Sequence, residues 1–250
     1  MIPPVLKTLA ANRDFFIPYA LFLLFGGALL LFLQQGDDLI FFSDLRTYWG
    51  DRFFVFWTKL GEEPAYFLAA FLFLFVRFRW SLLVALTGLL VSLFSFGLKS
   101  FFGRPRPRAF YEAQDVSITD ILNLVDGMTI DDLYSSATNS FPSGHTMSGF
   151  ALYGLLALLL SKRFYLPFWL FVVALLVGIS RVYLVQHFFE DIYVGSLVGV
   201  LIALGLYWGS ERIAYHPQRW YDRKIPYRGR RPPSTLPGDR TTADVEQRRT

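Results

Sequence analysis

The run Trp80-Ser-Leu-Leu-Val-Ala-Leu-Thr-Gly-Leu-Leu-Val-Ser-Leu-Phe-Ser-Phe-Gly-Leu98 carries no charged residue, and Arg79 and Lys99 close it at its two ends. Coiled as an α-helix it extends about 30 Å, the thickness of a bilayer's hydrocarbon core. Five other segments repeat the pattern, running roughly Phe15 to Leu33, Pro64 to Val76, Thr146 to Leu160, Tyr165 to Tyr183 and Asp191 to Ser210. The segments beginning at Pro64 and Thr146 are short, and each is expected to borrow a turn from its flanks. The reading is an all-α, six-transmembrane-helix bundle.

The rest of the composition agrees. Of the 250 residues 54% are hydrophobic and 18% aromatic, Phe alone accounts for 27, and the mean hydropathy is +0.39. A soluble domain mixes its charges along the chain, whereas here they gather between long charge-poor stretches. The absence of Cys excludes a disulfide framework, a thiolate nucleophile and a cysteine metal site. The run that follows Met1 to Asp14 has no small-residue cleavage site and is expected to be a retained span. Between the first two spans, Gln34 to Glu63 mixes Asp37, Asp38, Asp44, Arg46, Asp51 and Arg52 with many aromatics. It reads as one or two amphipathic helices lying at the outer interface. After Glu211 the chain turns basic and Pro-rich, a tail expected to be disordered or to lie on the membrane surface.

Basic residues orient the bundle. With the N-terminus inside, the inner segments hold most of the Lys and Arg, which makes both termini cytoplasmic. The outer loops hold Arg46, Arg52, Lys59, Lys99, Arg104, Arg106, Arg108 and Arg181. Half of these crowd into Lys99 to Arg108, against the orientation rule, and that crowding requires another cause.

Three clusters fall on this outer side: Lys99-Ser-Phe-Phe-Gly-Arg-Pro-Arg106-Pro107, Phe141-Pro142-Ser143-Gly144-His145-Thr146, and Ser180-Arg181 through His187 to Asp191. Only three histidines occur in the chain, and two of them lie here. Pro142 and Ser143 announce a helix start, with Ser143 able to cap it. A helix start offers free backbone N–H groups and a positive dipole end to an anion, and Gly144 admits a close approach. His145 projects from that first turn. The dipole disfavours its charged form, a bound phosphate dianion favours it, and a histidine so poised suits donation of a proton to a leaving oxygen. His187 and Asp191 are four apart and share a face if the last helix begins a turn early. The carboxylate then holds one ring nitrogen as N–H and leaves the other as nucleophile or base. Arg181 has no counter-charge nearby in sequence and needs a tertiary anion, either Asp191 or a bound phosphate. Together these parts answer the demands of phosphoryl transfer, where the protein positions the reactants and neutralises charge on three equatorial oxygens. No carboxylate cluster suited to two metals accompanies them, so metal-independent chemistry without a cofactor is expected.

Lys-x6-Arg-Pro (Lys99 to Pro107), Pro-Ser-Gly-His (142 to 145) and Ser-Arg-x5-His-x3-Asp (180 to 191) resemble, in order, the three signature motifs of the type 2 phosphatidic acid phosphatase superfamily. Motifs and spans together cover most of Phe15 to Ser210, and Gly195 and Gly199 add a small-xxx-small packing face. The resemblance implies that His187 attacks phosphorus to form a phosphohistidine, that Asp191 orients it, and that His145 protonates the leaving group. It further implies that Lys99, Arg106, Ser143, Gly144 and Arg181 bind the phosphate oxygens. The spacing from Lys99 selects Arg106 over Arg104, which is expected to line the entrance. The implied domains are a phosphatase bundle over residues 1–212 and a tail over 213–250. The implied partners are a lipid phosphate or pyrophosphate and the bilayer, with no nucleic acid.

Family members act on phosphatidic acid, phosphatidylglycerol phosphate, undecaprenyl pyrophosphate and lipid A. An outward site in a small chain without Cys or an Asn-x-Ser/Thr site points to a bacterial inner membrane, with the site facing the periplasm, and to undecaprenyl pyrophosphate as first choice. The vanadium haloperoxidases share this kind of site but are soluble, which six spans disfavour. A lipid-binding scaffold would be expected to lose the nucleophile, and a transporter to carry charges at mid-span.

Overall fold

A computed structural model describes residues 4–115, 139–160, 165–213, 219–223 and 225. Every regular element among them is helical: α1 Pro4–Ala11, α2 Arg13–Leu30, α3 Asp37–Asp44, α4 Tyr48–Lys59, α5 Glu63–Leu74, α6 Phe78–Phe102, α7 Pro107–Glu112, α8 Gly144–Leu159, α9 Leu166–Tyr183, α10 Phe189–Glu211, and a 3-10 turn at Trp220–Asp222. Four of these, α2, α6, α9 and α10, are long and apolar enough to cross a membrane, while α5 and α8 are apolar but shorter. The expected segments thus appear as helices within a few residues of their anticipated ends. The Gln34 to Glu63 stretch forms two helices, α3 and α4. The expectation placed on the tail falls mostly outside the described residues.

The bundle is built around α8. Its sequence GHTMSGFALYGLLALL is almost wholly buried, against α10 on one side and α9 on another. Small residues make this possible. A Cβ added at Gly199 would stand 2.4 Å from the Met147 carbonyl oxygen, and one at Gly195 would stand 2.7 Å from the Ser143 oxygen, so α10 lies directly on the α8 backbone. Phe15, Tyr19, Phe150 and Phe171 fill the layer between α2, α8 and α9. Large apolar side chains also point outward, among them Leu24, Phe25, Phe67, Phe96, Phe101 and Leu201. Such an apolar exterior suits lipid as the solvent.

The helices α3 and α4 pack across the end of α9. Arg46 and Asp51 form a buried ion pair at 3.4 Å, and Arg46 also donates to the Tyr183 carbonyl at 3.1 Å. Thr47 caps α4 by accepting from Gly50 N–H at 3.0 Å. At the opposite end of α6, part of the tail returns to the bundle. Phe78 N–H donates to the Arg223 carbonyl at 2.8 Å, Ile225 N–H donates to the Leu74 carbonyl at 3.0 Å, and Arg79 pairs with Asp222 at 2.9 Å.

Candidate active site

All eight residues singled out by the motifs meet at one end of the bundle, delivered by five helix ends. Lys99 comes from the last turn of α6, which Gly103 closes in a left-handed conformation (φ 57°). Arg106 is the residue before α7. Ser143, Gly144 and His145 open α8, Arg181 lies in the last turn of α9, and His187 and Asp191 flank the start of α10.

Ser143 caps α8 as its sequence position suggests. Its side chain accepts from Thr146 N–H at 3.4 Å and from the Thr146 hydroxyl at 2.9 Å. The Ser143 N–H donates to the Asp191 carbonyl at 3.0 Å, which ties the start of α8 to the start of α10. The N–H groups of Gly144 and His145 then point out of the helix, as first-turn donors must. The Lys99 Nζ lies 3.6 Å from where a Cβ on Gly144 would stand. Glycine here leaves room between a cation and a helix start.

His187 does not share a helical face with Asp191. The helix α10 begins at Phe189, and His187 precedes its capping residue, Phe188. The pairing arises instead from the cap. Asp191 stands at the third helical position, where its Oδ2 accepts from Phe188 N–H at 3.1 Å, as an acidic residue there does in a capping box. The same oxygen faces His187 Nδ1 at 3.1 Å. Ser140, which no motif had marked, completes the arrangement: its hydroxyl donates to Asp191 Oδ2, and its Oγ lies 3.1 Å from His187 Nδ1. With the single Ser140 proton given to Asp191, Oγ is free to accept, so Nδ1 carries the hydrogen and Nε2 is left with its lone pair. The chain reaches this point through a tight turn. Val185 adopts a left-handed backbone (φ 57°), and the N–H groups of Gln186 and His187 both donate to the Arg181 carbonyl, at 2.9 and 3.2 Å. Burial first, then the Arg181, Arg106 and Lys99 charges, push the imidazole of His187 well below the usual histidine range, so it is neutral at neutral pH.

The partners of the arginines are neutral. Arg106 Nη1 donates to Gln186 Oε1 at 2.8 Å, and Arg181 Nη1 to Thr58 Oγ1 at 2.7 Å. The Nε of each is buried without a hydrogen-bond partner among the described residues. Asp191 is thus not the anion that Arg181 requires, because its carboxylate is committed to Ser140, His187 and Phe188. Guanidinium groups whose bonded side chains are neutral leave their charge for an anion to complete. Gln186 and Thr58 were invisible to motif reading, since the one is a spacer residue and the other lies far away in α4. Arg104 turns aside to Glu190 at 2.5 Å and over the Phe141 ring, while its carbonyl accepts from Ser140 N–H at 2.8 Å.

His145 is about one-third exposed, with Nε2 3.5 Å from Glu62 Oε1. It borders a cavity of about 580 Å³ that runs from Lys99 and His145 between α5 and α6, past Tyr66, Phe67, Gly88 and Leu89. The cavity is polar at the cation end and apolar along its length, as an amphiphile requires.

Comparisons with known proteins place the chain in a family. The sequence pattern of the PAP2 superfamily matches residues 78–214. Lipid phosphate phosphatase 2 of Arabidopsis thaliana is 30% identical over 210 residues, covering 74% of this chain and 71% of its own. The probable diacylglycerol pyrophosphate phosphatase 1 of Schizosaccharomyces pombe is 34% identical over 173 residues, covering 59% of this chain and 62% of its own. Among solved structures, the transmembrane PAP2-type phosphatidylglycerolphosphate phosphatase of Bacillus subtilis is 26% identical with a TM-score of 0.55, covering 79% of this chain and 96% of its own. Aquifex aeolicus LpxE is 27% identical with a TM-score of 0.53, covering 70% of this chain and 95% of its own. With more than half its length matched to the family pattern and a lipid phosphate phosphatase aligned over most of both chains, this chain belongs to the PAP2 superfamily.

Proposed function

We propose that this membrane phosphatase removes the terminal phosphate of a lipid phosphomonoester or pyrophosphate through a covalent phosphohistidine on His187, without a metal ion. The observation that carries the reading is the contrast within the site: a neutral His187 backed by Asp191 and Ser140, beside Arg106 and Arg181, whose bonded partners are uncharged. Nε2 of His187 attacks phosphorus, the phosphorus–oxygen bond to the lipid breaks, and His145 gives its proton to the departing oxygen. Water then attacks the phosphorus, the phosphorus–nitrogen bond breaks and returns its electron pair to His187 Nε2, the water's proton passes to His145, and inorganic phosphate leaves. Lys99, Arg106, Arg181, the Ser143 hydroxyl and the N–H groups of Gly144 and His145 hold the oxygens while charge develops on them.

The bundle is read as six spans, with α5 and α8 crossing alongside the four longer helices and with α3 and α4 at the interface. Lys/Arg bias supports cytoplasmic termini and a site on the outer face, and a small chain without Cys or an Asn-x-Ser/Thr site supports a bacterial inner membrane. Among lipids we place undecaprenyl pyrophosphate first, then phosphatidylglycerol phosphate, phosphatidic acid and lipid A. An outward site supports that order, and the S. pombe relative is named for a lipid pyrophosphate.

Purified protein in detergent, offered a panel of lipid phosphates and pyrophosphates with and without EDTA, is expected to release inorganic phosphate equally in both conditions, fastest from the undecaprenyl substrate. Activity lost to EDTA and restored by a divalent ion would overturn the metal-free mechanism. A different leading substrate would reorder the lipids.

A further inference from the structure

Glu62 is the residue in this site that neither the motifs nor the mechanism above employs. It stands at the N-cap of α5, where an acidic side chain has free N–H groups of its own helix within reach. It makes no such bond. Its carboxylate lies instead across the cleft, 3.5 Å from His145 Nε2. The turn that carries it is fastened to α8 by three hydrogen bonds. Ser148 donates to the Gly61 carbonyl at 2.6 Å, Tyr153 donates to the Leu60 carbonyl at 2.8 Å, and Tyr66 donates back to the Ser148 carbonyl at 3.0 Å. Gly61 makes the contact possible, because a Cβ there would meet Val177 Cγ1 at 2.6 Å and the His145 carbonyl at 3.1 Å. A surface turn does not require this much anchoring unless its position relative to His145 matters.

Electrostatics supplies the reason. The cations acting on His145 are Arg181 from α9, Lys99 from α6 and Arg106 before α7, while His187 before α10 is neutral. Asp191 of α10 is committed to His187 and Ser140, and Glu63 borders the same cleft from the first turn of α5. Among the described residues, Glu62 is the carboxylate within 4.0 Å of His145. We propose that Glu62 is a positioning residue for His145, supplying a counter-charge beside the imidazole that favours its protonated form once phosphate is bound and holds it aimed until the leaving oxygen takes the proton. The inference rests on the phosphatase reading and deepens it. It gives the acid a partner as Asp191 is a partner to the nucleophile. Glu62 also acts electrostatically on Arg181, so the test must separate help to the acid from help to binding.

Leaving-group chemistry makes that separation. A lipid alkoxide needs a proton as it departs, whereas nitrophenolate leaves without one. Glu62→Gln should lower kcat about 10- to 100-fold on a long-chain alkyl phosphate, while kcat on p-nitrophenyl phosphate falls less than about threefold. The basic limb of the alkyl substrate's kcat profile should move to lower pH in E62Q and return toward wild type in E62D. Equal losses on both substrates would reduce Glu62 to a structural role. A rise in KM on both with kcat unchanged would assign it to phosphate binding through Arg181, and no change in either would remove it from the site. A wild-type protein that releases phosphate from neither substrate would overturn the phosphatase reading itself, whatever the variants do.

Discussion

The two ends of α6 treat arginine in opposite ways. At the far end Arg79 has a charged partner: its Nη atoms reach the Asp222 carboxylate at 2.9 Å and the carbonyls of Ile213 and Ser210 at 2.8 and 3.4 Å, with the Tyr221 ring 5.1 Å away. About 30 Å along the helix, Arg181 is buried and Arg106 partly so, and their bonded side chains are only a hydroxyl and an amide. The first arrangement neutralises a charge and holds the tail against the bundle. The second puts no carboxylate in hydrogen-bond contact with either guanidinium among the described residues, an arrangement that a bound anion would complete. Burial does not tell a structural arginine from a functional one, whereas the charge of its partners does.

Substitutions at the two ends should separate activity from stability. The largest effect belongs to the nucleophile: His187→Ala is expected to lower phosphate release at least about 10⁴-fold with the protein still eluting as a folded particle in detergent. Asp191→Asn, which disturbs the tautomer, should cost about 10²- to 10⁴-fold. A His187→Ala protein with wild-type turnover would end the phosphohistidine proposal. Next come the cations. Arg181→Met should lower kcat/KM about 10²- to 10³-fold and leave the melting temperature close to wild type, because relief of repulsion from Arg106 offsets the lost Thr58 bond. Arg79→Met should do the reverse. It strands the fully buried Asp222 carboxylate, destabilising the fold by about 3–5 kcal/mol, while turnover per folded molecule is unchanged. Equal effects of the two substitutions on stability would dissolve the distinction between the ends.

The smallest effect concerns Asp38, whose carboxylate accepts from Phe189 N–H at 2.6 Å and so helps to cap α10. Burial pushes this carboxyl up to about 6, against the opposing pull of the Phe189 N–H. A carboxyl raised in the folded state gives stability that is fully present below the ordinary value of 3.8 and lost as pH rises through 6. Asp38→Asn keeps an acceptor for Phe189 without the buried charge, so thermal scans should show it matching or exceeding wild type above pH 6. Asp38→Ala should lose about 1 kcal/mol at every pH.

Much of this was legible in the sequence, because the decisive information is local. An uncharged run between Arg79 and Lys99 defines a helix by itself, and Pro142-Ser143 defines the start of another. His187 and Asp191 could be paired from their spacing, although the pairing runs through a helix cap that begins beyond His187. What remained hidden depends on contacts between distant segments. Ser140 reaches His187 across 47 residues, Gln186 reaches Arg106 across 80, and Thr58 reaches Arg181 across 123. None of these belongs to a spacing pattern, and a serine, a glutamine or a threonine carries no charge to attract notice. Glu62 was passed over for the opposite reason, as one acid among several in a stretch read only for its amphipathic character.

The contact of Gly195 and Gly199 with the backbone of α8 has a consequence for the chemistry at the helix ends. His145 rides on α8 and Asp191, which holds His187, on α10, so the gap between the two histidines is set by how closely two rods lie together below them. A single methyl at 199 would act as a wedge, tilting the rods and spreading the two imidazoles without touching either. Reactivity at one surface of the molecule therefore depends on the absence of a side chain two helical turns beneath it.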